Sequence, residues 1–487
     1  MRGLVLGSLA VALAACSSSA GEPLVEYPDV PAATSPDPAR TATPDPSPPP
    51  PPPAPEPTPQ PGMTKLWDSV TWIRGVTTDG HVLATKDKDL VVLPAGAAQP
   101  TTLVTDYDAS TDEDLVRGKL VSLWLGEDVL PSPIATWSSA TGLVKGGPVA
   151  YRGMVHPKPG ADLFAYRGKA PSSLASKLAV TRPGQGDGAV IVPSLDNGVI
   201  DEACAPTVAW TGDDLLVAGC VGGVTPPSVG VYAADGSGKK VAVLDGAARG
   251  VWLNRARTRA VVQTTTASSL RALAAGGSPL PLDGRLVRAL FSADDAKVVY
   301  LRADGKLRRA ATSAPVAPVD LATATALLAA SDDARWAAFA TKSDASTQRT
   351  DIWLVDAQGG SPPRKLAEEK AILWGFAKNG AAVVHQTTTG ASASGPLFVT
   401  PTAGGASVQV SADASRVVFD GDVVYFQELT QATPKTMTLK AVRTSAPQTA
   451  LVVADNLDPL TTQIALPGSR LLVASKVGLW SYPVVTP

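Results

Sequence analysis

The chain has 487 residues, 42 Lys and Arg against 44 Asp and Glu, a formal net charge of −2 and 44% hydrophobic residues. That balance excludes the basic footprint of a nucleic-acid-binding surface. With 44 Pro and 43 Gly, long uninterrupted helices are excluded over most of the length, and the length itself exceeds one ordinary compact domain.

Residues 1–15 read as a secretory signal. Arg2 supplies a positive start, and Leu4 to Ala15 is small and apolar. A run of about 12 residues is too short to span a bilayer, which takes about 20. Leu13-Ala14-Ala15-Cys16 resembles the lipobox of bacterial lipoproteins. That resemblance implies that Cys16 becomes the mature N-terminus, carrying diacylglycerol on its thiol and a palmitate-type chain on its amine. Several chains anchor firmly, at about 0.8 kcal/mol per buried methylene. Ser17 stands where an aspartate would resemble an inner-membrane retention signal, so the resemblance points to an outer-membrane lipoprotein, facing the periplasm or the cell surface.

Residues 16–62 form a tether. The stretch from Pro23 to Pro61, including PDPSPPPPPPAPEPTPQP, cannot bury a core and is expected to be disordered and polyproline-like. At about 3.1 Å per residue it reaches on the order of 120 Å. A folded domain, 63–487, is expected beyond it.

TDYDASTDEDL, from Thr105 to Leu115, is the best ion candidate. Asp106, Asp108, Ser110 and Asp112 have the alternating oxygens of a calcium loop. Thr111 stands where that loop needs glycine, and Arg117 where it needs a bidentate glutamate. A solvated loop is therefore preferred, and no metal or cofactor is expected.

Two cysteines follow in ACAPTVAWTGDDLLVAGC, 203–220. Folding the two strand-like runs about Gly212 and Asp213 sets Cys204 opposite residue 221, one position from Cys220. This predicts a cross-strand disulfide, permitted in an oxidising compartment, with two buried thiols as the alternative.

A shared grammar then recurs. A polar turn precedes one β run, and a second run follows, often ending in glycine. WTGDDLLVAGC begins at Trp210, LNRARTRAVVQTTT at Leu253, FSADDAKVVYLRADG at Phe291, SDDARWAAFATK at Ser331, FAKNGAAVVHQTTT at Phe376 and VSADASRVVFDGDVVYF at Val410. Their mean spacing, near 40 residues, is that of four-stranded propeller blades. In DIWLVDAQGG, Ile352 and Leu354 alternate with Trp353 and Val355, so both faces are apolar, as a blade between two neighbours requires. Trp137, Trp252, Trp353, Trp374 and Trp480 are expected to pack between blades rather than to form a sugar-stacking surface. ATATALLAAS, from Ala322 to Ser331, is the one stretch compatible with several helical turns.

SADDAKVVY, SDDARWAAF and SADASRVVF resemble the strand heads of the TolB-like, WD-related β-propeller family. DIWLVDAQGG resembles that family's second strand. The glycine expected after the head aspartate is mostly replaced here by Asp or Ala. The resemblance implies an all-β propeller of about eight four-stranded blades, or seven, closed by a strand from Thr64 to Ile73 against the C-terminal run.

Chemistry is sparse. His81, His156 and His385 are the only histidines. His385 closes the run AAVVH and reads as a strand end. No His-Glu-x-x-His or Gly-x-Ser-x-Gly motif occurs, and ADGSGKK, 234–240, reads as a turn. The sequence therefore favours a monomeric, membrane-anchored module that binds an envelope protein or glycan. A propeller hydrolase or lyase is the alternative.

Overall fold

The computed structural model describes residues 62–483 except 69, 71, 96–98, 108–115, 118, 125–131, 159–160, 170–174, 197–206, 222–227, 236, 238–239, 247, 265–266, 274–277, 314–316, 345–348, 359–360, 389–393, 430–435, 458–462, 466–469 and 476–477. The described residues contain strands and turns and no helix.

The described strands group into ten antiparallel four-stranded units, or blades, nine of them laid down in sequence order from an inner to an outer strand. The inner strands are Trp72–Val76, Val116–Arg117, Val149–Pro157, Thr207–Thr211, Ala248–Leu253, Leu286–Phe291, Ala326–Ala330, the later part of Arg364–Phe376, the later part of Val408–Asp420, and Gln463–Ala465. Each blade touches the next, mostly through these inner strands, and the tenth touches the first. Thr64–Trp67 adds the fourth, outermost strand of the tenth blade by pairing with Gly478–Pro483, Thr64 opposite Ser481 and Lys65 opposite Trp480. The ring is thus a β-propeller, with ten blades among the described residues rather than eight or seven, and its closing strand is Thr64–Trp67 alone: Trp72 and Ile73, expected in the same strand, begin the inner strand of blade 1.

Packing explains the closure. The described residues form ten apolar clusters, and each bridges one pair of adjacent blades. Leu83, Leu90 and Val92 of blade 1 meet Val121, Leu123 and Trp137 of blade 2. Val82, Ala84, Val91 and Leu93, on the opposite face of the same two strands, meet Leu472, Ala474 and Leu479 of blade 10. Strand alternation sends successive side chains to opposite neighbours, which is why these strands are apolar on both faces. In blade 7, Ile352 packs with Ala367 and Ala371 towards blade 8, while Val355 and Trp353 pack towards blade 6.

Two blades hid in strands that serve twice. Arg364–Phe376 and Val408–Asp420 are each 13 residues long. The first part of each closes one blade and the later part opens the next. Hence SADAS, expected as a turn, lies within a continuous strand, where shifts of register around Ser411 and Ser415 absorb the change of partner. ATATALLAAS is not helical either. Its residues end the outer strand Val319–Thr323 and form the inner strand Ala326–Ala330. Alanine's helical preference yields here to burial between blades, where Leu327 is 1% exposed.

The repeated turns hold as expected. The Ser292 hydroxyl donates to Asp294 at 2.5 Å and accepts the Lys297 N–H at 2.9 Å, and Asp294 accepts the Ala296 N–H at 3.0 Å. Ser331 and Asp333 repeat this with Trp336 and Arg335. The next residue carries a positive φ, 58° at Asp295 and 50° at Ala334. This is the position where the resembled family has glycine, and the backbone shape survives without it.

Candidate functional site

The inner strands bound the ring axis, and their composition is one-sided. They carry Arg74, Arg117, Arg152, Arg249, Arg288 and Arg416 and no lysine. Their one carboxylate is Asp420, beside the hairpin turn to Val423. For Arg117, Arg152 and Arg249 the strand positions alone are described.

β-Bulges coincide with several of these arginines. The ladder slips between Ile73 and Gly75 at Arg74, between Ala150 and Val155 around Arg152, between Ala248 and Gly250 at Arg249, and between Ser415 and Val418 around Arg416. A bulge leaves a residue out of the ladder and re-aims it. Glycine follows four of the arginines, at 75, 118, 153 and 250. At Gly75 the reason is close approach: a Cβ there would sit 2.8 Å from Cγ2 of Val116 on the neighbouring inner strand. This recurrent Arg-Gly pair was the sequence signal for the axis.

Arg288 is half-buried, and burial lowers its guanidinium below the ordinary value. Next to it on the strand, Val287 is 56% exposed. Trp72, 49% exposed on the first inner strand, has the Arg74 guanidinium 5.9 Å from its ring centre.

A cleft of about 410 Å³ opens between blades 6 and 7, lined in part by Val287, Arg302, Asp304, Thr323 and Thr341. Its cation is already engaged. Arg302 pairs with Asp283 and, at 2.9 Å, with Asp304. Asp283 also takes Arg308 and the Tyr300 hydroxyl, the latter at 2.7 Å. Burial alone would raise the Asp283 carboxyl, but the Tyr300 hydrogen bond and the two guanidiniums hold it below its ordinary value.

Of the residues singled out from sequence, Cys16, Cys204, Asp108, Ser110 and Asp112 lie outside the described residues. Cys220 is fully buried and disulfide-bonded. Asp106 is exposed, with its carboxylate 3.4 Å from Lys88 Nζ. Among the described residues no three His, Cys, Asp or Glu gather as a metal cluster.

The histidines are not brought together. His81 sits in blade 1, where Nδ1 accepts the Ala95 N–H at 2.8 Å and Nε2 lies 3.4 Å from Asp79. Asp79 in turn accepts from Ser139 of blade 2 at 2.8 Å, so this cluster braces two blades. His156 belongs to the inner strand of blade 3, and its carbonyl accepts the Trp210 indole at 2.7 Å. His385 is not a strand end. It lies inside Ala382–Thr387, 1% exposed and stacked on Phe398 at 5.3 Å. The five tryptophans pack: Trp137 and Trp480 are buried, and Trp252, Trp353 and Trp374 rest on inter-blade clusters.

No protein-family model and no curated protein matches the sequence. Among solved structures the chain is similar to a eukaryotic initiation factor, 14% identical with a TM-score of 0.46, over 71% of this chain and 88% of that one. It is also similar to the β-propeller domain of Cps50 (Swd1) from Myceliophteria thermophila, 12% identical, TM-score 0.28, over 57% and 96% of the two chains. A putative TolB from Agrobacterium tumefaciens is 15% identical, TM-score 0.25, over 46% and 80%. The strand order and the ten inter-blade clusters carry the fold by themselves.

Proposed function

We propose that the chain is a lipid-anchored module of the bacterial outer membrane, held out on its proline-rich tether to bind a protein or a glycan of the envelope. The observation that supports this reading is where the tether joins. The segment 16–62 leads directly into Thr64–Trp67, the outermost strand of the closing blade. The point of attachment on the folded domain is therefore an outermost strand, not an inner one. Binding residues commonly sit on loops over a rigid scaffold. Arg302, the cation of the cleft, shares Asp283 with Arg308, which suits a structural brace better than a catalytic group.

The test is in-cell cross-linking of a C-terminally tagged chain, with fatty-acid labelling, beside a Cys16→Ser version. The expected result is a label and one recurrent partner, both lost on substitution. Retention of the label by Cys16→Ser would overturn the anchor, and no recurrent partner in either form would overturn the binding module.

A further inference from the structure

The axis offers more than an opening. Its inner strands gather six arginines and a single carboxylate in a chain whose overall charge is balanced. We propose that the axis of the ring binds a carboxylate-bearing polysaccharide, its acid groups taken by inner-strand arginines and its sugar faces by Trp72. This rests on the binding-module reading and names the ligand class.

The choice of cation is informative. Every permanently charged cation of these inner strands is Arg. The planar guanidinium fork matches a carboxylate through two parallel hydrogen bonds, where Lys offers a point charge. Arg288 makes no side-chain hydrogen bond, ion pair or ring contact with the described residues. A half-buried cation with no acceptor among the described residues is available to an incoming anion.

Two features favour a sugar over an acidic peptide. The half-exposed Trp72 indole, with the Arg74 guanidinium over its ring, pairs an apolar ring with a cation, which suits an acidic sugar. The bulges at Arg74, Arg152, Arg249 and Arg416 interrupt the regular edge that an added peptide strand would need.

The test uses the purified full chain and isothermal titration with three probes: an oligomer of glucuronic acid, its carboxyl-reduced neutral counterpart, and poly-glutamate. The acidic oligomer should bind, more weakly at high salt, and the neutral form about tenfold or more weaker. Arg288→Gln should lose about tenfold in affinity with an unchanged melting temperature, and Arg288→Glu more. Trp72→Ala should weaken the sugar and leave poly-glutamate unaffected. Equal binding of acidic and neutral oligomers would overturn the proposal. So would poly-glutamate binding at least as tightly as the sugar, which would point to an acidic protein. No binding of the acidic oligomer beside an intact cross-linked partner would sink this proposal and leave the binding module standing. Loss of both would sink both.

Discussion

Lys65 lies opposite Trp480 in the closing sheet, with its ammonium 5.6 Å from the centre of the indole ring. This pair joins the first strand of the domain to the last, so the ring depends on a strand at the foot of the tether. Removing residues 1–62 should leave the melting temperature unchanged. Removing residues 1–68 should lower it by on the order of 5 °C or more and expose an unpaired edge along Gly478–Pro483 that promotes self-association. Scanning calorimetry and light scattering on the two truncations check this. Equal melting and equal monomer content would show that the closing strand contributes nothing.

Turn chemistry makes a second, signed prediction. Arg257 is exposed with φ of 56°, and Gly380 holds φ of 69° at the matching turn of blade 8. A side chain in this region costs about 1–2 kcal/mol. Arg257→Gly should therefore stabilise the domain by about 0.5–1 kcal/mol, since the side chain gives up one long contact, 3.4 Å to the Trp210 carbonyl. Gly380→Ala should destabilise it by about 1–2 kcal/mol, because its Cβ would also press on Ser331 at 3.3 Å. Denaturant midpoints that move in the same direction for both would refute this reading.

The fold class and ring closure were legible because propeller strands are apolar on both faces and their turns use Ser, Asp and Gly at fixed offsets. Ser292–Asp294 and Ser331–Asp333 are visible in the sequence for that reason. The blade number was not legible. Strands such as Val408–Asp420 serve two blades without a turn between them, and blades 1 to 3 lack the Ser-x-Asp head. His385 was misplaced because a histidine in a buried strand costs desolvation, so polarity suggested an end. The axial arginines were present as Arg-Gly pairs, yet nothing in one blade's sequence says which of its strands is innermost. That placement is a property of the closed ring.

The hairpin of blade 4 pairs Thr207 with Ala218 and Thr211 with Asp214, the register from which a Cys204–Cys220 bridge was inferred. Cys220 is bonded and buried, and its carbonyl accepts the Asp196 N–H at 2.9 Å. A non-reducing peptide map should recover 204 linked to 220. Reduction, or Cys204→Ser, should cost about 3 kcal/mol, the loop-closure value for a bridge of this span. A map that links Cys220 elsewhere, or to a second chain, would reject the pairing.

His385 sets a pH dependence. Burial holds its imidazole down to about 4, against an ordinary value of 6.5, and its Nδ1 is buried with no hydrogen-bond partner. The unfolded chain therefore takes a proton near pH 6.5, whereas the folded chain resists until about pH 4. The stabilisation is complete above pH 6.5 and declines as pH falls through that interval, by about 3 kcal/mol in all for this group. Asp351 acts lower on the scale. Burial would raise its carboxyl, but donors from Thr341, Lys342 and Trp353 together hold it below its ordinary value, so its loss begins only as the His385 step is ending. Urea midpoints measured from pH 7.5 to 4 should fall for the natural chain. They should stay nearly level down to pH 4.5 for His385→Leu, which keeps the volume and removes the titrating group. Parallel curves for the two proteins would show that another group carries the acid sensitivity.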